Sequence, residues 1–199
     1  MENMTGGLFV RFDLLRLFPA VALAALIATV PHTLTAQTPD VGAKAPNFTL
    51  ATPEGKKVSL DGLRKQGPVV LIVLRGFPGY QCPYCTRQVH DFETNASQFE
   101  AKGVQLMLVY PGPADDLTAH AQDFLKHEDS LPANFHLVID PDYTVTNLYG
   151  LRWDAQAETA YPSTFVLNRK GVVTYRKISH QHADRTTAAE VLAELDKAL

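Results

Sequence analysis

Apolar residues run unbroken in some stretches of this chain and recur at helical spacing in others. Val69-Val-Leu-Ile-Val-Leu74 is apolar at every position, rich in β-branched residues and of strand length. Such a run predicts a strand buried on both faces. Val104-Gln-Leu-Met-Leu-Val-Tyr110 predicts a second buried strand, ended by Pro111-Gly-Pro113. Between them a helical pattern begins at Pro83, where Val89, Phe92, Ala96 and Phe99 recur at steps of three and four until Gly103 stops it. Asp115 to Lys126 predicts another helix, Phe135 to Ile139 a short strand, and Asp140-Pro-Asp its turn.

Two hairpins frame this central part. Phe48-Thr-Leu-Ala51 and Lys57-Val-Ser-Leu60 flank Pro53-Glu-Gly-Lys, and Ser163-Thr-Phe-Val-Leu167 and Val172-Val-Thr-Tyr-Arg176 flank Asn168-Arg-Lys-Gly171. Residues 186–199 close the chain as an amphipathic helix with Ala189, Val191, Leu192 and Leu195 on its apolar side. Strands alternating with helices, followed by a terminal hairpin and helix, predict an α/β layered sheet in one compact domain.

The N-terminus reads differently. Residues 17–30 are apolar and uncharged, with Arg11 and Arg16 before them and Thr33-Leu-Thr-Ala36 after. A basic region, a short apolar core and a small-residue exit are the parts of a secretory signal. A buried core helix would need cover on every side, and a membrane span needs roughly 20 residues. Leu34 is larger than the usual residue at its place in a cleavage site, so an uncleaved anchor is the alternative. The expectation is a signal peptide over residues 1–36, a folded domain over residues 37–199, export to the periplasm, and no membrane partner for the mature form.

Composition narrows the function classes. Apolar residues make up 46 % and charged residues 20 %, which excludes a disordered or fibrous chain. A net charge of −3 is not the basic footprint of a nucleic-acid binder, so no nucleic-acid partner is expected. Two cysteines are too few for a disulfide scaffold or an all-Cys zinc site.

Those two cysteines carry the chemistry. Cys82-Pro-Tyr-Cys85 lies between a buried strand and an amphipathic helix. A thiol at a helix N-terminus faces unpaired backbone N–H groups and the positive end of the helix dipole, and both favour the thiolate. Pro83 suits the first helical position, where its missing N–H costs nothing. Two intervening residues let one sulfur reach the other, so the pair can cycle between dithiol and disulfide. A stabilising role for that disulfide gains little, because the closed loop is so short. A metal site would need histidine ligands, and none lies at tight spacing beside the pair. No metal and no cofactor are expected.

With these residues in place, the chain resembles the thioredoxin fold: a strand, Cys-x-x-Cys at a helix start, and Tyr161-Pro162 just before a late strand. Val41-Gly-Ala-Lys-Ala-Pro-Asn-Phe-Thr-Leu50, Gly55 to Leu60, Pro141-Asp, Tyr149-Gly150 and Ser163 to Gly171 are similar to the redoxin branch, which includes the alkyl hydroperoxide reductase/thiol-specific antioxidant peroxiredoxins. The resemblance implies a central mixed sheet flanked by helices, with an N-terminal β-hairpin extension. It also implies a Tyr161–Pro162 bond that is cis and faces the dithiol, and an external dithiol as electron donor.

Two activities stay open on the residues. Pro78-Gly-Tyr-Gln-Cys82-Pro-Tyr-Cys85 keeps the peroxiredoxin spacing that makes Cys85 peroxidatic, with Cys82 in place of the usual hydroxyl residue. In a thioredoxin-type pair Cys82 is instead the nucleophile, attacking a protein disulfide, with Cys85 resolving. Peroxiredoxins carry an arginine near Pro162, whereas exported disulfide reductases of the cytochrome-maturation type carry proline there. Arg75 can supply the missing cation, so Pro162 and Arg75 are candidate substrate-binding residues beside the catalytic pair Cys82 and Cys85. Copper delivery is a third reading, disfavoured because that family spaces its thiols by three residues and adds a late histidine. Cys82, ahead of the first helical turn, is expected to be the more exposed sulfur. His180 and His182 read as exposed polar residues at a strand end, His90 as a helix-surface residue, and Trp153 as a groove cap or a packing residue.

Overall fold

A computed structural model describes residues 37–126 and 131–198; the expected leader, residues 1–36, lies outside the described residues. The elements run β1 (Thr49–Ala51), β2 (Lys57–Ser59), α1 (Leu60–Arg64), β3 (Val69–Val73), α2 (Pro83–Thr94), α3 (Ala96–Ala101), β4 (Gln105–Gly112), α4 (Leu117–Leu125), β5 (Phe135–Pro141), α5 (Thr144–Leu148), β6 (Ser163–Leu167), β7 (Val173–Ile178) and α6 (Ala188–Ala198). The strands form a seven-stranded sheet in the order β2-β1-β5-β4-β3-β6-β7. Strands β3, β4 and β5 are parallel, while β6 runs antiparallel to β3 and β7 antiparallel to β6. The N-terminal hairpin joins the sheet edge through Ala51, which pairs with Ile139.

Strand β3 is an interior strand between β4 and β6, and its unbroken apolar run is explained by burial on both faces. Val70, Ile72 and Leu74 pack with Val89 and Phe92 of α2, Phe99 of α3, Phe124 of α4 and Val191 and Leu195 of α6. Val69, Leu71 and Val73 point the other way, toward Leu60 and Leu63 of α1, Val145 of α5 and Phe165 of β6. All six are fully buried, and each such side chain contributes about 1.5–3 kcal/mol of apolar burial. This two-sided packing fixes the end of β3, from which the Cys-Pro-Tyr-Cys segment leaves.

The structure corrects four expectations about elements. The helix expected from Pro83 to Gly103 is two helices, broken at Asn95, whose side-chain amide donates to the Asp91 carbonyl (2.8 Å) and so competes with the helical backbone. Strand β4 does not stop at Pro111, because Pro111 and Gly112 still pair with Asp140 and Pro141. Asp140 is therefore in a strand rather than a turn. Its buried carboxylate accepts the Val145 and Thr146 N–H groups and the Thr146 hydroxyl, and so starts α5, a helix absent from the hydrophobic pattern. Leu60, expected to end a strand, begins α1, capped by the Ser59 hydroxyl accepting from Gly62 N–H (3.0 Å).

Candidate active site

The site forms where β3 ends and α2 begins. After Leu74 the chain turns through Gly76 in the left-handed region (φ +66°). A Cβ there would overlap the Pro111 carbonyl oxygen, which accepts Phe77 N–H at 3.0 Å. Glycine thus lets the loop press against the end of β4. Gln81 fixes the next bend: its Oε1 accepts the buried Tyr110 hydroxyl (2.8 Å) and its Nε2 donates to the His120 carbonyl (2.8 Å).

Cys82 is the N-cap of α2 and Pro83 the first helical residue, as the sequence predicts. The Cys82 sulfur accepts the backbone N–H of Cys85 at 3.4 Å. Both cysteines are free thiols. The Cys82 thiol is held down at about 6, first by a hydrogen bond from the Cys85 thiol, against the cost of burial, then by the Cys85 backbone N–H and the charges of Arg185 and Arg75. Cys85 moves the other way: burial, the hydrogen bond it gives Cys82 and the charge on Cys82 all push its thiol up. The surroundings thus favour the charged form at Cys82 and the neutral form at Cys85.

The expected difference in exposure is not found. Cys82 is 1 % exposed and Cys85 0 %. Arg185, in the loop between β7 and α6, lies against both sulfurs, with Nη2 3.7 Å from Cys82 Sγ and 3.9 Å from Cys85 Sγ. Its Nε donates to the His182 carbonyl (2.8 Å), which orients the guanidinium. Nothing in the local sequence singled out Arg185, because its place over the dithiol comes from the return of β7 rather than from any spacing.

Arg75 is buried at 2 % exposure and its guanidinium is held on three sides. Nε pairs with Glu158 Oε2 (2.6 Å), Nη1 donates to the Tyr80 hydroxyl (2.6 Å) and Nη2 to the Ala157 carbonyl (2.7 Å). Burial opposes its charge, but Glu158 and Tyr80 more than offset that and raise its pKa. Its charge reaches Cys82, while its hydrogen bonds go to the protein. Glu158 also takes His182 Nε2 (2.8 Å) on its other oxygen.

Pro162 is buried and lies at the end of the sheet where β3 exits, since the β3–β6 register pairs Val73 with Ser163. Its peptide bond corrects the expectation: no cis bond occurs among the described residues, so Tyr161–Pro162 is trans. The chain enters β6 already extended, with Ala160 bridged to Arg152, Tyr161 N–H donating to the Leu151 carbonyl and the Pro162 carbonyl accepting Ser179 N–H. No sharp turn is made there, and the trans bond is the one an extended entry uses. Trp153 packs on this segment, stacked on Tyr161 (4.9 Å) and tilted toward His182 (5.2 Å). His180 and His182 lie in the loop after β7 rather than on a strand, and His182 is engaged with Glu158. Among the described residues no cluster of three or more His, Cys, Asp or Glu could hold a metal ion.

Comparison with known proteins places the family and the fold. Residues 41–176 match the AhpC/TSA family model. A candidate peroxiredoxin of Coxiella burnetii, bcp, is 33 % identical over 140 residues, covering 68 % of this chain and 85 % of that protein. The thiol-disulfide oxidoreductase ResA of Bacillus subtilis is 29 % identical over 132 residues, 66 % of this chain and 64 % of ResA. The crystal structure of the peroxidoxin BcpB of Mycobacterium tuberculosis superimposes with a TM-score of 0.66 at 21 % identity, over 81 % of this chain and 99 % of BcpB. The sheet and helices are those of a thioredoxin-like fold, and the chain belongs to the AhpC/TSA family, as a peroxiredoxin-like oxidoreductase.

Proposed function

We propose that this protein is an exported thiol-dependent peroxidase in which Cys82 attacks the peroxide and Cys85 resolves the product. The observation that carries this is the placement of Cys82 at the N-cap of α2, where its sulfur accepts the Cys85 backbone N–H (3.4 Å) and lies 3.7 Å from Arg185 Nη2; these contacts lower its pKa, while burial raises that of Cys85. The Cys82 thiolate displaces alkoxide or hydroxide from the O–O bond and becomes a sulfenic acid, and the leaving oxygen takes up a proton. The Cys85 thiol then condenses with it, releasing water and forming the Cys82–Cys85 disulfide. An external dithiol, or two thiols in turn, returns two electrons and restores the dithiol. With both sulfurs under Arg185, a small hydroperoxide reaches them more readily than the disulfide of a folded protein.

A second reading, disulfide reduction, has its own support. Pro162 stands where peroxiredoxins carry arginine, and ResA is among the relatives. Peroxide consumption by the reduced protein, set beside its reduction of a protein disulfide, separates the two. The proposal expects catalytic peroxide loss with dithiothreitol as donor and little protein-disulfide reduction; the reverse ratio would favour the second reading. Export rests on the apolar run over residues 17–30, and an N-terminus near Gln37 on protein from the periplasmic fraction is its test.

A further inference from the structure

We propose that the groove between the first turns of α2 and the loop leading into α6 binds a small peptidic thiol, carrying carboxylate, N–H and thiol groups, as the reductant of the Cys82–Cys85 disulfide. This rests on the reading of that pair as redox-active. The groove has a volume of about 260 Å³ and is walled by Tyr84, Arg87 and Gln88 on one side and Arg185 and Thr186 on the other. Arg185 belongs both to this wall and to the dithiol, which its Nη2 touches, so the groove's inner end is one side chain from the sulfurs.

The wall has a specific chemistry. Arg87 lies over the Tyr84 ring at 4.4 Å, and a stacked guanidinium keeps its in-plane N–H groups for a carboxylate. Asp91 is the acid in this lining, and its Oδ2 already accepts Ala188 N–H at 2.7 Å. Gln88 is only 6 % exposed; its Nε2 donates to the Thr186 carbonyl (3.1 Å), while its Oε1 is buried with no hydrogen-bond partner. Arg185 Nη1 is likewise buried and unpartnered. One leftover acceptor on the α2 side and one leftover donor on the opposite side call for a ligand that brings both an N–H and an oxygen. An amino-acid or peptide thiol offers both; an alkyl hydroperoxide brings no N–H. In the reaction the bound thiolate attacks Cys82 Sγ, the disulfide breaks, and Cys85 leaves and takes up a proton. A second thiol attacks the mixed disulfide, releasing the reduced enzyme and the donor's own disulfide.

The test measures reduction of the diamide-oxidised protein directly, with no peroxide present. Rates with glutathione, glutathione diethyl ester and 2-mercaptoethanol are compared per thiolate at equal ionic strength. The expected result is a saturable reaction with glutathione, about tenfold faster than with 2-mercaptoethanol, an advantage lost with the ester and cut about fivefold by Arg87→Gln. Equal rates for the three thiols, or an ester as fast as glutathione, would overturn the groove. Dithiothreitol-driven peroxide consumption, measured separately, reports on the peroxidase reading, so the two can fail independently.

Discussion

Arg185 and Cys82 are 103 residues apart in the chain, yet Arg185 Nη2 stands 3.7 Å from Cys82 Sγ. The contact does two things at once: it places a fixed positive charge beside the thiolate and it covers both sulfurs. Arg185→Ala is therefore expected to raise the Cys82 pKa by about one. It should also expose the pair to larger reagents. The rise is bounded because the Cys85 thiol and backbone N–H also hold Cys82 down. The pH dependence of alkylation by iodoacetamide reports both effects, and an unchanged midpoint would remove Arg185 from the site.

The same thiolate makes stability depend on pH. Cys82 sits at about 6 in the folded protein against 9.0 for an ordinary thiol. Its contribution is thus complete above the unfolded value and is lost as pH falls through the folded one. Between pH 6 and 8 the reduced protein should gain stability with pH, at most about 1.4 kcal/mol per pH unit from this group. Cys85, pushed upward, acts against stability only as pH approaches and passes the ordinary thiol value. Urea unfolding of reduced wild type and Cys82→Ser across this range is the measurement, and the variant should show the smaller slope.

Gly76 holds the loop that delivers the dithiol. Its φ of +66° and the Pro111 carbonyl against its Cα leave no room for a side chain. Gly76→Ala is expected to cost about 2 kcal/mol or more of unfolding free energy. It should also shift the Cys82 pKa upward, because the α2 N-terminus moves with the loop. Chemical denaturation together with thiol titration tests this, and a fully stable variant would contradict it.

Much of the fold was legible because the signals were local. Strand β6 lies over Ser163–Leu167 as expected, and β3 ends one residue short of the expected Leu74, whose N–H still donates to the Val109 carbonyl. Unbroken apolar runs bounded by turns leave few alternatives. Helix α5 was not legible, since it depends on a buried Asp140 carboxylate capping residues five and six positions on, and Asp140-Pro-Asp reads as a turn. Cys82 and Cys85 were legible as a pair from spacing and helix position. Arg185, Glu158 and Gln81 were not, because each acquires its role through contacts that only the assembled sheet brings together. Arg75 is legible by its charge, but its anchoring by Glu158 and Tyr80 comes from contacts across the fold and a loop that no local spacing marks.

In the proposed reaction Cys82, not Cys85, meets the peroxide. Single-cysteine variants treated with one equivalent of hydrogen peroxide and then dimedone, read by mass spectrometry, test it most directly. Cys85→Ser is expected to carry a dimedone adduct on Cys82, and Cys82→Ser an unmodified Cys85 on the same timescale. An adduct on Cys85 in Cys82→Ser, with Cys82 unmodified in Cys85→Ser, would contradict it.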